Sequence, residues 1–119
     1  MMAKKITIYG IKNCDTMKKT FAWFEKKKIP YTFHDYKKEG ADMALLQKVE
    51  KKFGWEEMLN RKGTTWRRLP EKERDSMTTK RAFKVAEDNP SIIRRPIIVS
   101  GAKMVLGFDE EKLQSVVKK

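Results

Sequence analysis

Lys4-Lys5-Ile6-Thr7-Ile8-Tyr9 is closed by Gly10 and runs through Ile11-Lys12-Asn13-Cys14 into a stretch carrying Met17, Phe21 and Phe24, and then to Tyr31-Thr32-Phe33-His34-Asp35-Tyr36. The first and last pieces are rich in β-branched and aromatic residues, and the last alternates along its length, so both read as strands. Between them, Met17, Phe21 and Phe24 recur at spacings of four and three, which places them on one face of a helix, with Pro30 as its stop. A strand, a helix of about 15 residues and a strand form a βαβ unit, so the two strands are expected to be parallel with a right-handed crossover.

Outward from this unit, Gly40 breaks the pattern and Asp42 can cap a new helix whose apolar face is Leu45, Leu46, Val49 and Phe53. Gly54 interrupts it, and Trp55, Met58 and Leu59 begin a second short face. Residues 60–68 read as an irregular, cationic connection. Two short helices are expected near 70–76 and 78–87, the second with Ala82, Phe83 and Ala86 inward, before the stop Asp88-Asn89-Pro90-Ser91. Ile97-Ile98-Val99 has the composition of a buried strand, Ser100-Gly101-Ala102 is a turn, and Lys103-Met104-Val105-Leu106 pairs back as a hairpin. Asp109 caps a last helix carrying Leu113, Val116 and Val117. The expected fold is α/β, a mixed sheet in the order β-α-β, helical stretch, β-β-α. It is read as a single domain over 1–119, with sheet and core helices from 1–40 and 90–119 and a helical insertion at 41–89.

Composition bounds the function classes. A chain of 119 residues supports one domain, and at that size about 65% of the unfolded surface can be buried. Twelve aromatic residues argue against disorder although 37% of residues are charged. No apolar run approaches the roughly 18 residues of a membrane span, and Lys12 ends any apolar stretch too early for a signal peptide. One cysteine excludes an internal disulfide framework and a zinc ribbon, and suits a reducing cytoplasm. Neither a bound cofactor nor a metal is expected.

The net charge of +12 favours anionic partners. Lysines are scattered along the chain, and Lys26-Lys27-Lys28 reads as a solvated helix end. The seven arginines are instead confined to positions 61–95: Arg61, Arg67, Arg68, Arg74, Arg81, Arg94 and Arg95. Arginine grips planar oxyanions with a fork that lysine lacks, so this confinement is more informative than the total charge. The alternative for any one of them is a solvated basic face.

Cys14 stands where a loop gives way to a helix. Unpaired amide N–H groups and the helix dipole there favour an anion, here the thiolate, and Lys12, Lys18 and Lys19 are expected to add positive potential. The competing reading, a small buried hydrophobe, is weakened by polar Asn13 and Asp15 on either side. Met17 occupies the place of the second thiol in a Cys-x-x-Cys motif, so any disulfide of Cys14 must be resolved by an outside thiol. Farther along, Arg94-Arg95-Pro96 precedes Ile97-Ile98-Val99; a proline just before a central strand removes a ladder donor.

Three segments carry a family resemblance: Gly10-Ile11-Lys12-Asn13-Cys14-Asp15-Thr16, Leu59-Asn60-Arg61-Lys62-Gly63 and Ile93-Arg94-Arg95-Pro96-Ile97-Ile98-Val99. Together they resemble the glutaredoxin-coupled arsenate reductase (ArsC) family, most closely its YffB-type branch near the Spx transcription regulators. The resemblance spans about residues 6–117 and implies a thioredoxin-like fold with a helical insertion. It implies Cys14 as nucleophile, Arg61 and Arg95 as oxyanion-binding arginines, and Pro96 as a cis proline facing the thiol. Lys12, Asn13, Thr16 and Arg94 join Pro96 as candidates for holding an anion or glutathione. The family's third arginine falls near Phe108, which cannot bind an oxyanion, so the resemblance supports thiol chemistry more than arsenate turnover. The partners implied are glutathione or glutaredoxin with a small oxyanion or thiol substrate; the Spx likeness points instead to RNA polymerase.

The remaining candidates read as structural. His34 is the only histidine, with no second ligand near it in sequence. Trp23, Trp55 and Trp66 are assigned to packing, and Gly63 lacks the companions of a phosphate-binding loop. Direct nucleic-acid binding has charge behind it but no motif.

Overall fold

The computed structural model describes residues 5–117; Lys4, read above as the start of the first strand, lies outside them. The chain divides into two compact units, one comprising residues up to Asp35 and from Arg95 onward, the other Tyr36–Arg94. Residues 36–40 and 90–94, assigned to the sheet part from sequence, cluster with the helical unit.

The first unit is built on β1 (Ile6–Gly10), α1 (Asp15–Lys26), β2 (Thr32–Asp35), β3 (Ile97–Ser100), β4 (Lys103–Leu106) and the final helix (Glu110–Val117). Its four strands lie in the order β2-β1-β3-β4. β1 and β2 run parallel, as a βαβ unit requires, with Tyr9 opposite His34. β3 is antiparallel to both β1 and β4, with Ile8 opposite Ile98 and Ile98 opposite Val105. This period-2 register gathers one face of the sheet. Ile6, Ile8, Ile98 and Val105 form a core with Met17, Trp23 and Phe24 of α1 and Leu113 and Val116 of the final helix. Phe21 extends the contact, meeting Phe33 of β2 edge-on at 5.0 Å between ring centroids.

The end of α1 differs from the expected stop at Pro30. Lys28 takes a left-handed φ of 58°, its N–H donates to Glu25 O at 3.1 Å, and the Ile29 N–H donates to Phe24 O at 3.0 Å. This pair of bonds is a Schellman turn, which satisfies the last carbonyls before the proline is reached. The lysine run is exposed, as read. In the final helix, the Asp109 side chain accepts from the Lys112 N–H at 3.2 Å, which confirms the expected cap.

The second unit contains α2 (Tyr36–Glu39), α3 (Met43–Phe53), α4 (Trp55–Met58), α5 (Thr64–Arg68), α6 (Glu71–Asp75), α7 (Thr79–Asp88) and a 3-10 turn at Pro90–Ile92, and with them the last helix of the chain becomes α8. Asp42 caps α3 by accepting from the Leu45 N–H at 3.1 Å, and Thr78 caps α7 through the Arg81 N–H at 3.2 Å. Tyr36, Leu45, Leu46, Val49, Met58, Leu59, Ala82, Val85, Ala86, Ile92 and Ile93 are its buried residues. Val85 turns inward where Phe83 was expected, and Phe83 is half-buried.

The expectation of an irregular 60–68 connection is corrected: Thr64–Arg68 is helical. Asn60 supplies the reason. Its Oδ1 accepts from the Lys62 N–H at 3.2 Å, and its carbonyl receives the Gly63 N–H at 3.3 Å. A Cβ at Gly63 would lie 2.8 Å from the Asn60 Nδ2, so the Asn60 side chain packs closely over Gly63 where the turn releases the chain into α5.

Candidate active site

Cys14 occupies the N-cap position of α1 with extended backbone, φ −147° and ψ 135°, and no side-chain cap bond. The thiol therefore sits beside the first-turn amides, which no helical carbonyl can satisfy, without closing a cap bond to them. Burial raises the thiol pKa, and this effect is outweighed by the polar influence of the nearby Met17 N–H, the Arg95 side chain and the Thr16 N–H, together with the Arg95 charge, so that Cys14 is held below its ordinary value. The cations that matter differ from those expected, because no lysine ranks among these causes. Lys12 and Asn13 are exposed in the loop before Cys14. Thr16 contributes through its main chain; its carbonyl accepts from Thr20 Oγ1 at 2.8 Å.

Arg95 and Pro96 belong to the same unit as Cys14, on the segment entering β3. Their peptide bond is cis, and the Pro96 carbonyl accepts from the Gly107 N–H at 2.8 Å. Gly10, at the end of β1, shows how closely these elements approach. A Cβ there would lie 2.5 Å from Met17 Sδ, 2.7 Å from Met17 Cε and 3.5 Å from Arg95 Cβ. Met17 is fully buried, so its side chain fills the space beneath the strand end while its N–H serves the thiol. Neither the dual use of Met17 nor the need for glycine at position 10 was read from the sequence; the visible signal was a glycine seven residues before a methionine on the buried helix face.

The other arginines are spent differently. Arg61 Nε donates to Glu56 O at 3.2 Å, and Arg94 Nε donates to Glu57 O at 2.9 Å, so the two satisfy consecutive carbonyls of α4, whose own helix is too short to do so. Arg67 donates to Lys62 O at 2.8 Å and Arg74 to Leu69 O at 3.1 Å, while Arg81 pairs with Glu73 at 2.8 Å. The confinement of arginine to 61–95 is therefore largely a device for tying short helices together.

Phe108 packs at the edge of the sheet unit's core. With Trp23, Lys19, Lys26 and Lys27 it lines a groove between α1 and α8 that does not include Cys14. His34 packs its ring on Tyr9 at 4.9 Å, a structural contact. Among the described residues no three metal-ligating His, Cys, Asp or Glu side chains gather, and no helix is long and apolar enough to cross a membrane.

A mixed sheet of this order, with a thiol at the start of the helix that follows β1, is the signature of a thioredoxin-like α/β protein. The ArsC family pattern matches residues 9–116, and the chain belongs to that family. It is 43% identical to an arsenate reductase (ArsC) related protein of solved structure from Brucella melitensis, with a TM-score of 0.77 over 100% of this chain and 99% of that one. A solved YFFB protein is 36% identical, with a TM-score of 0.90 over 95% of this chain and 99% of that one. The global transcriptional regulator Spx of Staphylococcus aureus is 24% identical over 92% of this chain and 84% of its own.

Proposed function

We propose that this protein is an arsenate-reductase-like thiol oxidoreductase with one nucleophilic cysteine, dependent on glutathione or glutaredoxin and working in a reducing cytoplasm. The observation that carries the reading is the set of groups around Cys14: two helix-start N–H groups and the Arg95 guanidinium act together to favour the thiolate over the thiol. A thiolate so held attacks an electrophilic sulfur. With a mixed disulfide between glutathione and a second thiol as substrate, a bond forms between Cys14 Sγ and the glutathione sulfur, and the S–S bond breaks. The second thiol leaves as thiolate, and a free glutathione then attacks the Cys14 mixed disulfide, which releases oxidised glutathione and regenerates Cys14. Arg95 stabilises the anion through the exchange, and Arg61 is assigned to the anionic part of the substrate on the family likeness. Arsenate itself is disfavoured, because Phe108 brings no charge to the place of a third arginine.

The test is mass spectrometry of the protein after brief exposure to oxidised glutathione. A mixed disulfide on Cys14, absent in Cys14→Ser and removed by glutathione plus glutaredoxin, is the expected result. A wild-type chain that stays unmodified would overturn the assignment.

The relationship to Spx supports a second reading, a regulator that binds RNA polymerase. Met17 removes the Cys-x-x-Cys pair that would switch it. Tight polymerase binding in a pull-down, combined with a Cys14 thiol titrating like a free cysteine near ~8.5, would favour that reading over the enzyme.

A further inference from the structure

The sequence assigns Trp55 and Trp66 to packing, yet neither is fully buried. Their rings stack with centroids 6.2 Å apart and planes 27° from parallel. The guanidinium carbon of Arg61 lies over the Trp55 ring, 5.8 Å from its centroid, while Arg61 Nε is held by Glu56 O at 3.2 Å. All four residues lie in the helical unit. Arg61 is itself exposed, and an exposed arginine ordinarily samples many rotamers, which costs affinity each time it is immobilised on a ligand. Here one edge of the guanidinium is anchored by a carbonyl and one face by an aromatic ring. The Nη donors remain as a fork of the kind that matches a sulfate or a carboxylate.

We propose that Trp55 is a positioning residue for Arg61. Its ring, backed by Trp66, fixes the plane of the guanidinium so that the Nη groups are presented ready-made to an oxyanion. The Asn60–Gly63 turn belongs to the same device, since it sets the direction in which Arg61 leaves the chain just after α4. This deepens the functional reading above and rests on Arg61 being an oxyanion-binding residue. Trp66 acts one step further out and touches the ring, not the cation.

The probe is sodium sulfate, titrated at constant ionic strength into the full-length protein, with affinity measured by calorimetry and tryptophan emission followed in parallel. Sulfate should change the emission of the wild type, because its binding draws on the cation lying over Trp55. In Arg61→Ala that change should vanish and affinity should fall at least tenfold. Trp55→Leu, which keeps bulk but removes the π face, should weaken sulfate about threefold, and Trp55→Phe should restore near-wild-type affinity. If Arg61→Ala binds sulfate as the wild type does, or if the wild type gives no response, the oxyanion role of Arg61 fails and this inference fails with it. If Arg61→Ala loses binding while Trp55→Leu and Trp55→Phe both match the wild type, the role of the tryptophan alone is overturned. Should Trp55→Leu fail to fold by circular dichroism, Trp55→His takes its place, with the same threefold loss expected and wild-type affinity again decisive against the proposal.

Discussion

Arg94 and Arg95 are neighbours in the chain and belong to different regions of the molecule. Arg94 closes the helical unit, with its N–H on Met58 O and its Nε on Glu57 O. Arg95 opens the sheet unit's return strand and gives its side chain to Cys14. The same side chain is scaffold in one region and chemistry in the other, and the difference follows from what each region lacks. Beside α3 and α7, the helical unit contains helices of only four and five residues, which leave most of their carbonyls without intrahelical donors; arginine, with five N–H groups, supplies several of them. The sheet unit satisfies its backbone through its ladders, and its one arginine, Arg95, acts on the Cys14 thiol.

Substitutions can break this contrast. Cys14→Ser is the largest: all formation of a glutathione adduct should cease, read by mass spectrometry, with the fold retained. Next is Arg95→Met. Because Arg95 helps hold the thiol below its ordinary value, its loss should cut the rate of Cys14 alkylation by iodoacetamide several-fold at pH 7 and shift the rate profile to higher pH. The sign for stability follows from the same lowering. The native thiol releases its proton before the unfolded one, so its contribution is present above the unfolded pKa and is lost as pH falls through the native pKa. Arg95→Met should shrink that pH dependence in urea unfolding, whereas Arg94→Met should leave both the alkylation profile and the dependence unchanged. An alkylation shift in Arg94→Met as large as that of Arg95→Met would erase the distinction between the two.

Smaller effects sharpen the comparison. Gly10→Ala brings a methyl group to within 2.5 Å of Met17 Sδ and should cost about 1–3 kcal/mol in denaturant unfolding. Asp42→Ala, in the helical unit, removes a single cap and should cost about 1 kcal/mol. A loss for Asp42→Ala exceeding that for Gly10→Ala would mean that the helical unit, not the strand end under the thiol, is the tighter packing.

The sheet unit was the more legible region in the sequence. β1, β2, β3 and β4 announce themselves through β-branched runs bounded by glycine and proline, and period-2 patterning fixes which residues face the core. The caps at Asp42 and Asp109 were also readable, because capping chemistry is local. Where the reading failed, the cause was non-local or depended on a main-chain group. Thr64–Arg68 looked irregular because its start is set by the Asn60 side chain folding over Gly63. The lysines around Cys14 looked important because they are close in sequence, whereas the deciding cation, Arg95, comes from the far side of the helical unit in the chain. The stacking of Arg61 on Trp55 joins residues on either side of a turn, and neither periodicity nor composition marks it.

The presence of one cysteine has a kinetic meaning. A dithiol protein closes its own disulfide at a rate independent of its surroundings, but a sulfur without an internal mate stays capped until another molecule collides with it. If Cys14 is capped as proposed, the lifetime of the capped form would be a clock set by the abundance of reduced thiols around it, whatever substrate had capped it.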